Sequence, residues 1–165
     1  MITDQQKAFE QLYHDNVDKV HRLCLGYVKG NQPLATDLQQ EVFMKVWQHW
    51  NSFKGTAKRS TWLYRIAVNT CLQFLRDNKN KLTESLDNEI EQAVETAVDK
   101  ELQYATLYAC MNKLNKVNKS ILLLELEEVP KQEIAAIVGL KHNAVRTRIN
   151  RIKQQLTKCV NHENI

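Results

Sequence analysis

The segment GLKHNAVRTRINRIK concentrates positive charge at residues 139–153. Four cationic side chains lie close together in it: Arg146, Arg148, Arg151 and Lys153. No Asp or Glu occurs between Glu133 and Glu163 to balance them. Lysine and arginine at this density attract a polyanion, for which a phosphate backbone is the usual source. The chemistry that these residues predict is binding rather than catalysis.

The same charges sit in a pattern of two short helices joined by a tight turn, over residues 130–156. Pro130 suits a first helical turn, and Gly139 permits a sharp turn between the helices. The second helix has an apolar stripe that includes Val145 and Ile149. Its opposite side carries amides and a hydroxyl, which can address base edges: Asn143, Thr147, Asn150 and Gln154. Cations flank this side, so the pattern predicts a helix-turn-helix that reads duplex DNA.

Two alternatives remain open for this segment. It could be a solvated basic helix with no nucleic-acid partner. In addition, Arg148 lies nearest to the apolar stripe, so it could pair with Glu133 inside the protein instead of contacting DNA.

A second set of side chains suited to nucleic acid lies on the helix predicted from about residue 60 to 79. Its apolar stripe includes Leu63 and Ile66, and Trp62 does not belong to it. A separate ribbon combines an aromatic ring, two amides and two arginines: Trp62, Arg65, Asn69, Gln73 and Arg76. Such a ribbon suits unstacked bases, because the ring stacks while the amides and cations bind edges and backbone. The alternative is that Trp62 packs at the margin of the core and the arginines are solvated.

The helix predicted at about residues 33–50 has an outward face of mixed character. Asp37, Gln40, Met44 and Trp47 lie on it, with Glu41 at its margin and Phe43 near the core boundary. An exposed mixture of acidic and apolar side chains favours a protein-binding face over a DNA-binding one. Burial of Trp47 under a neighbouring helix is the alternative.

The elements that must position these surfaces are helices. The 165-residue chain has only four Gly and two Pro and few alternating apolar stretches, so we expect an all-α fold without a sheet. Further helices are expected at about residues 5–30, 101–115 and 118–127, followed by two short helices around Gly139.

Charge divides the chain sharply. Residues 54–83 hold seven Lys or Arg against one acid, whereas residues 84–101 hold seven acids against one base. We therefore predict two small helical domains, residues 1–82 and residues 101–165, the second containing the helix-turn-helix. An acidic linker at residues 83–100 would join them and let the two cores move independently.

Composition excludes several functional classes. No apolar run approaches the roughly 20 residues that cross a bilayer, and the N-terminus lacks a secretion signal, so we expect a cytoplasmic protein without membrane insertion. The cysteines are scattered, which favours reduced thiols over disulfides or zinc ligands: Cys24, Cys71, Cys110 and Cys159. No phosphate loop or nucleophile dyad is evident. We expect no metal, no cofactor and no enzymatic activity.

Three motifs in order resemble the sigma-70 family, specifically its small two-domain extracytoplasmic-function (ECF) sigma factors. They are ATDLQQEVFMKVW, STWLYRIAVNTCLQFLR and VPKQEIAAIVGLKHNAVRTRINRIKQQL. Together with the first helix they cover nearly the whole chain.

The resemblance implies a non-enzymatic initiation subunit that binds the beta-prime clamp and beta subunits of core RNA polymerase, directs it to promoters and helps open DNA. It implies polymerase-binding roles for Asp37, Gln40, Glu41, Phe43, Met44 and Trp47. It implies minus-10 DNA-binding roles for Lys58, Arg59, Ser60, Thr61, Trp62, Arg65, Asn69, Gln73 and Arg76. It implies minus-35 DNA-binding roles for Lys141, His142, Asn143, Arg146, Thr147, Asn150 and Arg151. An anti-sigma factor is a further implied partner.

Two other classes remain as alternatives. A stand-alone helix-turn-helix regulator would bind duplex DNA as a dimer without polymerase. A helical adaptor that binds only protein would show no salt-dependent affinity for DNA.

Overall fold

A computed structural model of the chain describes residues 1–79 and 99–163, and within these ranges it contains helices and no strand. The helices are α1 (Asp4–Tyr27), α2 (Gln32–Gln48), α3 (Arg59–Asp77), α4 (Asp99–Asn112), α5 (Lys116–Leu126), α6 (Lys131–Val138) and α7 (His142–Glu163), with a 3-10 turn at Trp50–Ser52. The predicted all-α fold is confirmed. Most of the predicted linker lies outside the described residues, and its last two positions, 99 and 100, begin α4. No helix in the described ranges is long and apolar enough to cross a membrane.

Side-chain caps explain where several helices begin. Before α1, the Thr3 hydroxyl accepts from the Gln6 amide at 3.1 Å, and the Gln6 side chain accepts from the Thr3 amide at 2.9 Å. Asn31 caps α2, which has Pro33 in its first turn. Asn115 caps α5 by accepting from the Asn118 amide at 2.8 Å. These polar positions fix helix boundaries that the apolar periodicity alone leaves open.

The first three helices pack around a core that includes Val42, Leu63 and Ala67, each with no exposed surface. One polar pair is built into it: the Tyr64 hydroxyl donates to Asn16 at 2.8 Å. Burial raises the pKa of Tyr64 to about 12. The phenol therefore stays protonated and serves as a fixed structural donor.

The last four helices form the helix-turn-helix half, and a disulfide between Cys110 and Cys159 joins α4 to α7. The expectation of reduced thiols was wrong for this pair, because the fold brings together two positions that lie 49 residues apart in sequence.

The other two cysteines, Cys24 and Cys71, are free and buried, with their sulfurs 3.7 Å apart. The contact with Cys24, together with burial, raises the pKa of Cys71 well above its ordinary value.

The two halves pack directly against each other, with α3 lying against α6 and α1 against α5 and α4. A Cβ placed on Gly26 would lie 2.2 Å from Cδ2 of Leu123, so any side chain at this position would force Leu123 to move. Arg22 donates twice to the Glu127 carboxylate at 2.8 Å, and this bond raises the pKa of Arg22. The buried apolar residues of both halves form one continuous cluster. The expectation of two separate cores is therefore corrected by this interface, which no local sequence signal indicates.

A buried polar contact crosses the same interface, where the Tyr27 hydroxyl hydrogen-bonds the Ser120 hydroxyl. Burial raises the pKa of Tyr27 well above its ordinary range. Beside it, Lys119 has only 5% of its surface exposed, and burial, then the charge of Lys29, lowers its pKa to about 8. An ammonium group is thus held in the protein interior at an energetic cost.

We predict that Gly26→Val separates the two halves without unfolding them. The added methyl groups collide with Leu123, and overpacking at such a contact costs roughly 1–3 kcal/mol. Small-angle scattering should show a larger radius of gyration, while circular dichroism should show unchanged helix content. Ala8→Val, at an exposed position of the same helix, is the matched control. An unchanged radius for the Gly26 variant would contradict the interface.

We also predict that Lys119→Met stabilises the protein most at neutral pH. The pKa of Lys119 is lower in the folded state than its usual 10.5, so the fold disfavours the protonated form below about pH 8. A lowering from 10.5 to about 8 corresponds to about 3 kcal/mol, and this penalty disappears as the pH rises through that range. The difference in unfolding free energy between variant and wild type should shrink between about pH 7 and pH 10. Denaturant titrations measure it; a pH-independent difference would contradict the assignment.

Candidate polymerase and nucleic-acid surfaces

Helices α1 and α2 enclose an open groove of about 740 Å³ on the first domain. Its apolar walls include Met44 and Trp47, which are 60% and 41% exposed. Phe9 and Tyr13 of α1 line the opposite side. The sequence analysis placed no residue of α1 on this surface, because the spacing of these two aromatics also fits a core-facing stripe. The only available signal was their spacing of four residues near the start of α1.

The predicted polymerase-binding residues fall into two groups around this groove. Asp37, Gln40 and Glu41 are exposed, although Glu41 also pairs with Lys45 at 3.2 Å. Phe43 is only 5% exposed, and its ring meets that of Tyr13 at a centroid distance of 4.8 Å. Phe43 thus forms the floor of the groove instead of projecting from it.

An aromatic cage forms around one cation at the start of α3. The Arg59 guanidinium lies 3.8 Å from the ring centroid of Trp50 and 4.1 Å from that of Phe53. The Trp62 ring packs against Phe53 at 5.4 Å, and Trp62 remains half-buried. Burial lowers the pKa of Arg59. The alternative reading of Trp62 as a residue at the core margin is therefore partly correct, since one face packs and some surface stays accessible.

The remaining ribbon residues have different environments. Asn69, Gln73 and Arg76 are exposed. Arg65, by contrast, donates to the carbonyl oxygen of Ala136 in α6 at 2.9 Å. The helix-turn-helix half thus occupies one end of the ribbon.

The beginning of α3 and the residue before it also lie close to the helix-turn-helix half. Lys58 pairs with Glu133 of α6 at 3.1 Å, and Ser60 is half-buried. Thr61 is only 2% exposed, and its hydroxyl has no hydrogen-bond partner among the described residues. The assignment of Thr61 as a DNA contact is corrected, because its side chain faces inward in this packing.

The helix-turn-helix geometry is as predicted from the pattern. Gly139 ends α6 with a φ of 76°, in the left-handed region that glycine tolerates. Val145 and Ile149 of α7 are buried against α6 and α5. The seven predicted minus-35 residues are all exposed: Lys141, His142, Asn143, Arg146, Thr147, Asn150 and Arg151. Helix α7 continues to Glu163, further than expected for the second helix of the motif.

The four clustered cations of α7 divide into paired and unpaired members. Arg148 donates to the Asn118 side chain at 3.1 Å, so it is turned inward as the alternative held, but Glu133 is not its partner. Lys153 pairs with Glu125 at 3.4 Å. Arg146 and Arg151 are exposed and have no acceptor among the residues that the structure describes. These two arginines, flanking an amide-bearing face, are available to an external polyanion.

Two family models match the chain: Sigma-70 region 2 over residues 12–81 and Sigma-70, region 4 over residues 104–156. The ECF RNA polymerase sigma-E factor of Haemophilus influenzae is 30% identical, with 92% of this chain and 86% of that protein aligned. This chain belongs to the sigma-70 family, among its ECF members. The ECF sigma factor SigW of Bacillus subtilis is also 30% identical, over 93% of this chain and 89% of that one. The protein is accordingly a promoter-specific initiation factor for RNA polymerase.

Solved structures share the fold of this ECF sigma factor. CnrH, solved in complex with the cytosolic domain of CnrY, has a TM-score of 0.73 at 20% identity and covers 95% of this chain and 90% of its own. The sigma factor RpoE of Bartonella quintana, solved with the anti-sigma factor NepR, has a TM-score of 0.64 at 16% identity, over 94% and 98% of the two chains. At these identities the similarity concerns the fold alone.

We predict that Arg146→Ala and Arg151→Ala each weaken duplex DNA binding regardless of sequence. Each lost phosphate contact should shallow the slope of log affinity against log salt by roughly 0.9. Fluorescence anisotropy of the full chain, in complex with polymerase, measures the slope. Arg148→Ala is the matched control and should leave the slope unchanged, since that side chain is already bonded to Asn118. Equal slopes for all three variants would contradict the assignment.

Proposed function

We propose that this ECF sigma factor binds polymerase through the α1–α2 groove, reads minus-35 duplex through α7 and captures minus-10 bases through the Trp62 side of α3. The proposal is carried by the exposed face of α7 that holds Asn143, Thr147 and Asn150. Arg146 and Arg151 flank this face and have no protein acceptor in the described ranges. Such a helix face fits the major groove of DNA, where the amides can meet base edges and the two arginines can meet the phosphate backbones.

The groove supports the assignment of the polymerase contact. An exposed apolar wall of Met44 and Trp47 beside Asp37 and Glu41 suits a partner surface that combines apolar and cationic groups. We assign this partner as the beta-prime clamp, with further contacts on the beta subunit made by the second domain. Catalysis then belongs to the polymerase, and the sigma factor acts in the cytoplasm, where polymerase and promoters meet.

The arrangement of the two domains bears on promoter reading. Minus-10 and minus-35 elements are separated by about 25 base pairs, or about 85 Å at about 3.4 Å per pair. In the described packing, however, Lys58 and Arg65 of the minus-10 surface touch α6 of the helix-turn-helix. The two promoter elements therefore cannot both be read in this arrangement. We propose that polymerase holds the domains apart and frees these two cations.

An anti-sigma partner fits the same scheme. The solved RpoE structure contains an anti-sigma factor, and we propose that such a partner restrains this protein by stabilising a packed arrangement. We assign residues 1–82, 83–100 and 101–165 as minus-10 domain, linker and minus-35 domain respectively.

The direct test is reconstitution. Purified protein and core polymerase should initiate at a promoter that core alone ignores. Gln40→Ala combined with Met44→Ala should weaken polymerase binding, because both residues line the groove and are exposed. Gln11→Ala, at an exposed site of α1 outside the groove residues, is the control. Sequence-specific duplex binding as a dimer without polymerase would instead favour a stand-alone regulator.

We predict that Trp62→Ala impairs strand opening more than closed-complex binding. Base stacking on an aromatic ring contributes about 1–3 kcal/mol per base, comparable to the few kcal/mol needed to unpair one. Permanganate reactivity of promoter thymines should fall in Trp62→Ala and be largely retained in Trp62→Phe, which keeps a ring against Phe53. Undiminished reactivity in a folded alanine variant would limit Trp62 to a packing role.

We further expect Asn69→Ala to relax the preference for downstream bases without abolishing initiation, because the amide is exposed and can hydrogen-bond a base edge. Transcription from promoters with single substitutions in the minus-10 element measures this. A uniform loss across all of these promoters would indicate a contact with the backbone instead.

A further inference from the structure

A cavity of about 490 Å³ lies where the two domains meet. Residues from the ends of α1 and α3 and from the junction between α4 and α5 line it. Four of the lining residues are lysines: Lys29, Lys79, Lys116 and Lys119. No carboxylate lines the cavity among the described residues. The site is thus strongly cationic and belongs to neither DNA-reading surface.

Lys119 lies at the base of this cavity and is 5% exposed. An ammonium group has three donors, and one of them bonds the Asn112 side chain at 2.9 Å. The Tyr27 ring lies 5.8 Å from the ammonium nitrogen. In the described part of the chain no carboxylate pairs with Lys119, whose neighbours instead include the cationic Lys29. Burying a cation with so few hydrogen-bond acceptors costs free energy. The geometry therefore points to a bound anion as the acceptor for the remaining donors of Lys119.

The backbone adds to the positive potential. Helix α5, 11 residues long, begins at Lys116 on the cavity wall, with its capping residue Asn115 beside it. The positive end of the helix dipole therefore faces the same space as the four lysines.

The lining also includes apolar side chains, Val28, Leu75 and Leu114, besides the Tyr27 ring. A cavity of this volume is within the range of small-molecule sites and exceeds the size of a bare phosphate ion. Its chemistry fits a ligand with a phosphate group at one end and an apolar or aromatic body at the other.

We propose that this interdomain cavity binds a phosphorylated small molecule of nucleotide size, with its phosphate on Lys119 and the rim lysines. Tyr27, Leu75 and Leu114 contact the remainder of the ligand. Because the walls come from both domains, the bound ligand stabilises their packed arrangement over a separated one. This inference stands independently of the promoter-reading roles proposed above.

The test is calorimetric titration of the full chain with two probes, inorganic pyrophosphate and ADP, at physiological ionic strength. We expect saturable one-to-one binding, tighter for ADP because pyrophosphate lacks a body to contact the apolar wall. Lys119→Met and Lys29→Gln should each weaken binding roughly tenfold or more, as expected for loss of a charge-assisted hydrogen bond. Lys7→Gln, which removes one exposed charge elsewhere on α1, should leave the affinity unchanged.

Three results of the titrations would overturn the proposal. They are the absence of saturable binding of both probes, an equal weakening by Lys7→Gln, and an affinity that neither cavity substitution changes. Binding of duplex DNA through these lysines, with neither small anion competing, would also reject it. Lys29→Gln alters only an exposed side chain, so the test does not depend on a substitution in the protein interior. None of these readouts involves polymerase, so failure here is distinct from failure of the proposed function.

Discussion

The close crossing of α1 and α5 at Gly26 is the contact on which the rest of the structure depends. Leu123 fills the space that any side chain at position 26 would take. This approach lets Arg22 reach Glu127 and Tyr27 reach Ser120, and it merges two small cores into one. Small domains gain stability from every increment of buried apolar area. The absent Cβ at position 26 thus allows α1 and α5 to approach closely where the two halves meet.

That crossing also decides which cations remain available for DNA. In the same packing α6 lies on α3, where Glu133 and the Ala136 carbonyl accept from Lys58 and Arg65. Phosphate oxygens would compete for the same donors. Arg146 and Arg151 face away from this interface and keep no acceptor among the described residues. The packed protein therefore leaves exposed the helix that we propose reads duplex DNA, while one end of the proposed single-strand surface is occupied.

Sequence reasoning succeeded where the signal is local. The helices, the turn at Gly139 and the exposed ridge of α7 follow from periodicity, from a glycine in a left-handed conformation and from an imbalance of charge. It failed where contacts join distant positions, as in the Cys110–Cys159 disulfide, the bond from Arg148 to Asn118 and the burial of Thr61. Periodicity shows which side of a helix is apolar but not which helix covers it. The packing of α1 against α5 and the contribution of Phe9 to the groove were therefore not predictable.

We propose that the free protein packs its two domains together and that initiation requires them to separate. It is tested most directly by electron paramagnetic resonance distances between spin labels on cysteines introduced at Asp18 and Leu126, both exposed and flanking the Arg22–Glu127 pair. The account predicts a short, narrow distance distribution in the free protein and a long one in the polymerase–promoter complex. A short distance that persists in an initiating complex, or a long one in the free protein, would contradict it.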